Sequence, residues 1–170
     1  MEIVNQHSEP LDAIFVPVGG GGLVAGVAAY VKYLHPQTKI IGVEAQGSNC
    51  LDAAMRAGRR VRLSIDQLDL FADGVSVAQI GKETFKVAKK YVDDVVVVNV
   101  DEICAAIKDV FEDTRCVAEP AGALAIAGMK RYVDAHPGMS HVVSIVSGAN
   151  VNFDRLRHIS ERAEVGEARE

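Results

Sequence analysis

Apolar and polar positions divide the chain into alternating stretches of two kinds. Residues 12–18 are short, β-rich and nearly all apolar, which predicts a strand buried on both faces. Four glycines, Gly19 to Gly22, interrupt it. Residues 23–34 then read as a helix that is apolar almost all round until Lys32, hence a buried one, and Pro36 ends it. Residues 39–45 predict a second buried strand, and residues 49–57 a short helix with Gly58 as its C-cap. Residues 59–76 are irregular. Residues 79–91 predict an amphipathic helix with Ile80, Thr84, Val87 and Tyr91 on one face and lysines mostly on the other. A third strand follows at 94–99, then a helix capped by Asp101 with Ile103, Ala106, Ile107, Val110 and Phe111 at core spacing. Pro120 opens another helix, whose Gly122, Ala123, Ala125, Ala127 and Gly128 permit close packing. The last strand spans 141–146, and a polar helix runs from about 152 to 164. Strands separated by helices predict an α/β fold: an open parallel sheet in three layers, with helices on both faces.

Composition narrows the classes. Of 170 residues, 49% are hydrophobic and 24% charged, enough apolar mass for a core. Lysine and arginine number 18 against 23 acids, a net charge of −5, which argues against a nucleic-acid surface. Cys50, Cys104 and Cys116 stand far apart with no CxxC pair. That excludes a disulfide framework and a ligand-spaced zinc site, and suits a reducing, cytoplasmic setting. No uncharged apolar run is long enough to predict a membrane span.

The strongest chemical signal is a strand, four glycines and a helix start in succession, Pro17 to Leu23. Glycines admit positive φ and leave no Cβ, so backbone N–H groups approach an anion closely. The helix start adds unpaired donors and the positive end of its dipole. Two glycines would serve a mere turn; four predict a phosphate cradle. Which phosphate is open at this point. Gly20-x-Gly22-x-x-Ala25 with Glu44 at the end of the second strand fits a relaxed dinucleotide fingerprint. A cofactor with a single phosphate uses the same physics. No Walker lysine follows the glycines. Ser147-Gly148-Ala149-Asn150 lies at the carboxyl end of the last strand, the edge that faces ligands in open α/β sheets.

Four motifs occur in order: Phe15-Val-Pro-Val-Gly-Gly-Gly-Gly-Leu23, Phe71-Ala-Asp-Gly-Val-Ser-Val77, Ala118-Glu-Pro-Ala-Gly-Ala123 and Ser147-Gly-Ala-Asn150. Over residues 11–170 the chain closely resembles the C-terminal half of the catalytic domain of threonine deaminases, biosynthetic forms in particular. These are fold type II, tryptophan synthase β-like, pyridoxal-phosphate enzymes. The resemblance implies that Gly19, Gly20, Gly21, Gly22 and Leu23 hold the cofactor phosphate through backbone amides. It implies that Gly74 lies by the cofactor ring and that Ser147 contacts the pyridine nitrogen. A hydroxyl does not keep that nitrogen protonated, so the ring is a weaker electron sink and loss of a β-hydroxyl competes better. Glu119 would sit at the active-site edge; a helix N-terminal acid stabilised by the dipole is an equal reading.

The implied activity is deamination of L-threonine to 2-oxobutanoate and ammonia, the first step toward isoleucine. The implied assembly is a homo-oligomer, a tetramer by resemblance, with an amino acid as the small-molecule partner. Some relatives hold a divalent metal with an acid at the end of the second strand and another six residues later. Here Glu44 is followed by Cys50, and no metal site is expected. None of the eight lysines follows the family's Schiff-base lysine motif. The expectation is therefore a partial catalytic domain, residues 1–170, without the lysine-bearing half and regulatory domain, and inactive alone. The rivals are a non-catalytic dinucleotide-binding module and a same-fold enzyme acting on serine, a dehydratase or racemase.

Overall fold

The computed structural model describes residues 1–7 and 9–167. Four strands form one parallel sheet: β1 (Ala13–Pro17), β2 (Lys39–Ala45), β3 (Asp94–Val98) and β4 (Val142–Ser144), in the order β3-β2-β1-β4. Phe15 stands opposite Ile41 on one side and Ser144 on the other. Among the described residues there are seven α-helices, α1 (Glu2–Gln6), α2 (Gly22–Leu34), α3 (Cys50–Ala57), α4 (Lys82–Tyr91), α5 (Val100–Thr114), α6 (Pro120–Ala135) and α7 (Leu156–Glu167), and three single 3-10 turns.

The all-apolar strands are explained by what covers them. Side chains alternate across a strand, so Ala13 and Phe15 join a core with α5, α6 and α7, while Ile14 and Val16 join one with α2, α3 and α4. This is the three-layer α/β arrangement the sequence predicts. Two glycines allow the layers to approach. A Cβ on Gly128 of α6 would come within 2.5 Å of the Val43 side chain of β2. A Cβ on Gly122 would collide with the backbone carbonyl of Gly148.

The structure corrects four local expectations. Helix α2 is apolar almost all round but not buried all round: Leu23, Tyr30, Tyr33 and Leu34 are exposed, and Val24, Ala25, Ala28 and Val31 are its buried positions. The short helix α1, unforeseen in the sequence, lies beside part of that face across a groove of about 340 Å³. Helix α4 begins at Lys82, three residues later than expected, and its buried positions are Phe85 and Ala88, with Thr84 and Val87 on the shoulder. Helix α5 is capped by Asn99, not Asp101. The Asn99 side chain accepts from the N–H groups of Asp101 (2.9 Å) and Glu102 (3.1 Å), and Glu102 accepts from Asn99 N–H at 2.7 Å, a capping box. Asp101 instead lies inside the helix and accepts from Arg162 of α7 at 2.7 Å. Phe111, in the last turns of α5, is exposed rather than core.

Candidate functional site

Strand order decides where a ligand can enter. From β1 the chain moves outward to β2 and then β3, and returns through α6 to β4 on the other side of β1. The crevice between the carboxyl ends of β1 and β4 is thus the topological switch point of the sheet, where open α/β sheets bind ligands. Both loops singled out in the sequence leave those two ends. The β1–β4 pairing continues past the strands, with Ile145 N–H donating to the Phe15 carbonyl at 3.1 Å.

The glycine loop is held in one shape. Gly21 is the N-cap of α2 at φ +86°, a left-handed conformation suited to glycine. A Cβ there would lie 2.8 Å from Ile80 Cδ1. The Gly20 carbonyl points away from the helix start and accepts from Gly81 N–H (3.2 Å) and Thr84 Oγ1 (2.9 Å). The first bond inside α2 runs from Ala25 N–H to the Gly21 carbonyl at 3.0 Å. The amides of Gly22, Leu23 and Val24 therefore have no acceptor within the helix. Gly20, Gly22 and Leu23 are exposed, and nothing lies within 4 Å of a Cβ built on Gly20 or Gly22. Free amides, a helix dipole and open space fit a phosphate.

The other expected residues gather around this loop. A Cβ on Gly19 would lie 3.1 Å from Val75 Cα, so the turn Asp73–Val75 packs directly on the loop. A Cβ on Gly74 would lie 3.0 Å from Ala121 Cβ and 3.9 Å from Glu119 Oε1. Glu119, the N-cap residue of α6, makes no side-chain cap bond, and its N–H donates to the Gly148 carbonyl at 3.1 Å. Ser147 is exposed, and its Oγ reaches the Ala121 carbonyl only at 3.5 Å, which leaves the hydroxyl able to turn to a ligand. The structure thus brings Gly19 to Leu23, Gly74, Glu119 and Ser147 to one edge. The sequence reading missed Val75, Gly81, Thr84 and Ile80, which shape the loop from outside. Val75 falls within the motif Phe71–Val77, and Ile80 and Thr84 share one face of the expected helix, but nothing in the sequence sets them beside the glycines.

Glu44 is not at the ligand edge. It is fully buried, and its carboxylate accepts from the N–H groups of Leu51 (2.7 Å) and Asp52 (2.8 Å) at the start of α3. Burial pushes its pKa up to about 7 against the pull of those two bonds. The ribose contact of the dinucleotide reading therefore has no free carboxylate. Cys50 is buried too, its thiol raised to about 12 by burial and by Glu44, and its Sγ donates to the Gly19 carbonyl at 3.6 Å. Among the described residues, no group of three or more His, Cys, Asp or Glu is placed to hold a metal ion. Among them, too, no helix is long and apolar enough to cross a membrane.

Known proteins resemble this chain in sequence and in fold. Residues 1–148 match the model of the family described as pyridoxal-phosphate dependent enzyme. The chain is 56% identical over 172 residues to the biosynthetic L-threonine dehydratase of Burkholderia multivorans, covering 100% of this chain and 33% of that protein. It is 52% identical to the chloroplastic biosynthetic threonine dehydratase of Arabidopsis thaliana, covering 28% of that protein. The chain thus spans about a third of the length of such relatives. Among solved structures, the processed form of threonine deaminase isoform 2 from Solanum lycopersicum superposes with a TM-score of 0.90 at 43% identity, over 94% of this chain and 46% of that one. Serine racemase from Dictyostelium discoideum gives 0.80 at 32% identity, over 89% of this chain and 48% of that one. The fold is therefore that of fold type II enzymes, and this chain belongs to the pyridoxal-phosphate dependent enzyme family.

Proposed function

We propose that these residues are the phosphate cradle and ring edge of a pyridoxal-phosphate dependent ammonia-lyase that converts L-threonine to 2-oxobutanoate and ammonia. The observation that carries the reading is the switch-point crevice, where the free amides of α2 and the Ser147 hydroxyl share one edge. When bound, pyridoxal phosphate draws electrons from the substrate α-carbon.

The chain's own residues bind and orient the cofactor. The amides of Gly22, Leu23 and Val24 and the dipole of α2 neutralise the phosphate. Gly81 and Thr84 hold the Gly20 carbonyl back, so that the loop presents N–H groups rather than oxygen to the anion. Gly74 keeps the space in front of Ala121 clear. The Ser147 hydroxyl bonds the ring nitrogen without supplying a negative charge to hold a proton on it. Glu119 lies at the rim, where its carboxylate approaches Gly74 and Gly148.

The amine that holds the cofactor is a lysine outside residues 1–170 in this reading. Lys32, Lys86 and Lys130 pair with Asp93, Glu83 and Asp109, and Lys89 donates to the Gly58 carbonyl. The 170 residues alone would then release no 2-oxobutanoate. A homotetramer in the cytoplasm is part of the same proposal, and the uncovered apolar face of α2 supports association.

The test is a titration of the full-length protein with pyridoxal phosphate and with NAD, followed by product analysis on L-threonine and L-serine. Cofactor binding with 2-oxobutanoate as the faster product supports the reading. Protection by NAD, or no product from threonine, sinks it. The likeness to serine racemase favours one second reading, action on serine, which the same assay separates.

A further inference from the structure

The turn that carries Gly74 and Val75 is anchored from a distant part of the chain. Residues 69–76 form a closed unit. Phe71 N–H donates to Asp69 Oδ1 (2.7 Å), and Val75 N–H donates to the Ala72 carbonyl (3.0 Å). The Ser76 hydroxyl lies within reach of the carbonyls of Ala72 and Asp69. At one end, Ser48 Oγ donates to the Asp69 carbonyl at 3.1 Å. Two residues on, Arg155 Nη2 donates to the Phe71 carbonyl at 2.8 Å from 84 residues further along the chain. The Arg155 guanidinium lies 5.1 Å from the centre of the Phe71 ring, and His158 meets the same ring edge-on at 6.2 Å.

Resting on the reading of the site above, we propose that Arg155 is a positioning residue of the cofactor cradle. It holds the Phe71 end of the loop so that Gly74 and Val75 stay packed on Gly19 and Ala121. A charged donor on a carbonyl, half-buried and stacked on an aromatic ring, is one of the stronger ties available to a loop without regular structure. The Gly19 contact leaves little slack: a Cβ on Gly19 would be 3.1 Å from Val75 Cα, so a shift of the loop reaches the phosphate amides directly.

The test uses the full-length protein, with Arg155→Ala and Arg155→Lys compared with wild type. Three quantities are read: the dissociation constant for pyridoxal 5′-phosphate, backbone hydrogen exchange along the chain, and melting temperature without cofactor. Arg155→Ala should weaken cofactor binding about tenfold, the size of one charge-assisted hydrogen bond. Exchange should quicken at 70–76 and not across α5 and α7. Arg155→Lys, which keeps a donor and a cation over the ring, should recover most of the affinity. Unchanged affinity overturns the proposal, as does unchanged exchange at 70–76. Faster exchange throughout α5 and α7 overturns it as well, because Arg155 would then serve folding in general. If the wild type binds no pyridoxal phosphate, the functional reading fails, and the exchange at 70–76 still decides whether the clamp exists.

Discussion

Replacing Glu44 with glutamine tests the buried carboxylate that joins β2 to α3. Glu44 is fully buried, and burial raises its pKa from 4.5 to about 7. Between those values the unfolded chain has lost its proton while the folded chain keeps it. The folded state then binds more protons, so stability falls as pH rises through this window and levels off above about 7. At about 1.4 kcal/mol per pH unit, wild type should lose about 2 to 3 kcal/mol between pH 5 and pH 8 through this one group. Glutamine carries no charge at either pH, but its NH2 group leaves one of the two N–H donors of Leu51 and Asp52 without an acceptor. Glu44→Gln should therefore cost about 1 to 3 kcal/mol at pH 5. That penalty should shrink by about 2 to 3 kcal/mol, to near zero or below, at pH 8. Asp12 does not confuse the comparison. The N–H groups of His141 and Ser140 hold its pKa below 3.8, so its contribution is lost only as pH falls through that range. Urea unfolding of both proteins at the two pH values gives the numbers. An equal penalty at pH 5 and pH 8 would refute the assigned burial of charge.

Three further outcomes are expected. Gly21→Ala places a Cβ at φ +86° and against Ile80, costing about 1 to 2 kcal/mol of backbone strain plus about 1 to 3 of overpacking, so thermal melting should drop and cofactor affinity fall with it. Asn99→Ala removes the side-chain half of the α5 capping box and should cost about 1 kcal/mol in denaturant unfolding, whereas an unchanged midpoint would contradict the cap. Arg162→Ala breaks the bond to the nearly buried Asp101; with Arg162 partly exposed, about 1 to 2 kcal/mol is expected, seen as faster hydrogen exchange in α7 first.

Much of the candidate site was legible because its signals are local. Four adjacent glycines after an apolar run announce a strand-to-helix turn, and Pro120 after Glu119 announces a helix start. What surrounds those signals was not legible. Val75 against Gly19, Gly81 and Thr84 on the Gly20 carbonyl, and Arg155 on Phe71 are contacts between segments far apart in sequence. Glu44 shows the opposite failure. Its spacing from the glycines fits a ribose ligand, yet its carboxylate is turned inward to the start of α3.

The sequence by itself determined the layers. Residues apolar on both faces of a strand need cover on both sides, and helical periodicity supplied the cover. It misjudged α2, because an apolar residue records a preference for burial and not which neighbour provides it; Tyr33 is 83% exposed. Only the tertiary structure decided the strand order β3-β2-β1-β4, and with it the crevice between β1 and β4. Periodicity carries no information about which strand lies beside which. That pairing is set by packing of helices on both faces at once, and it is what brings Gly21 and Ser147, 126 residues apart in the chain, to one edge.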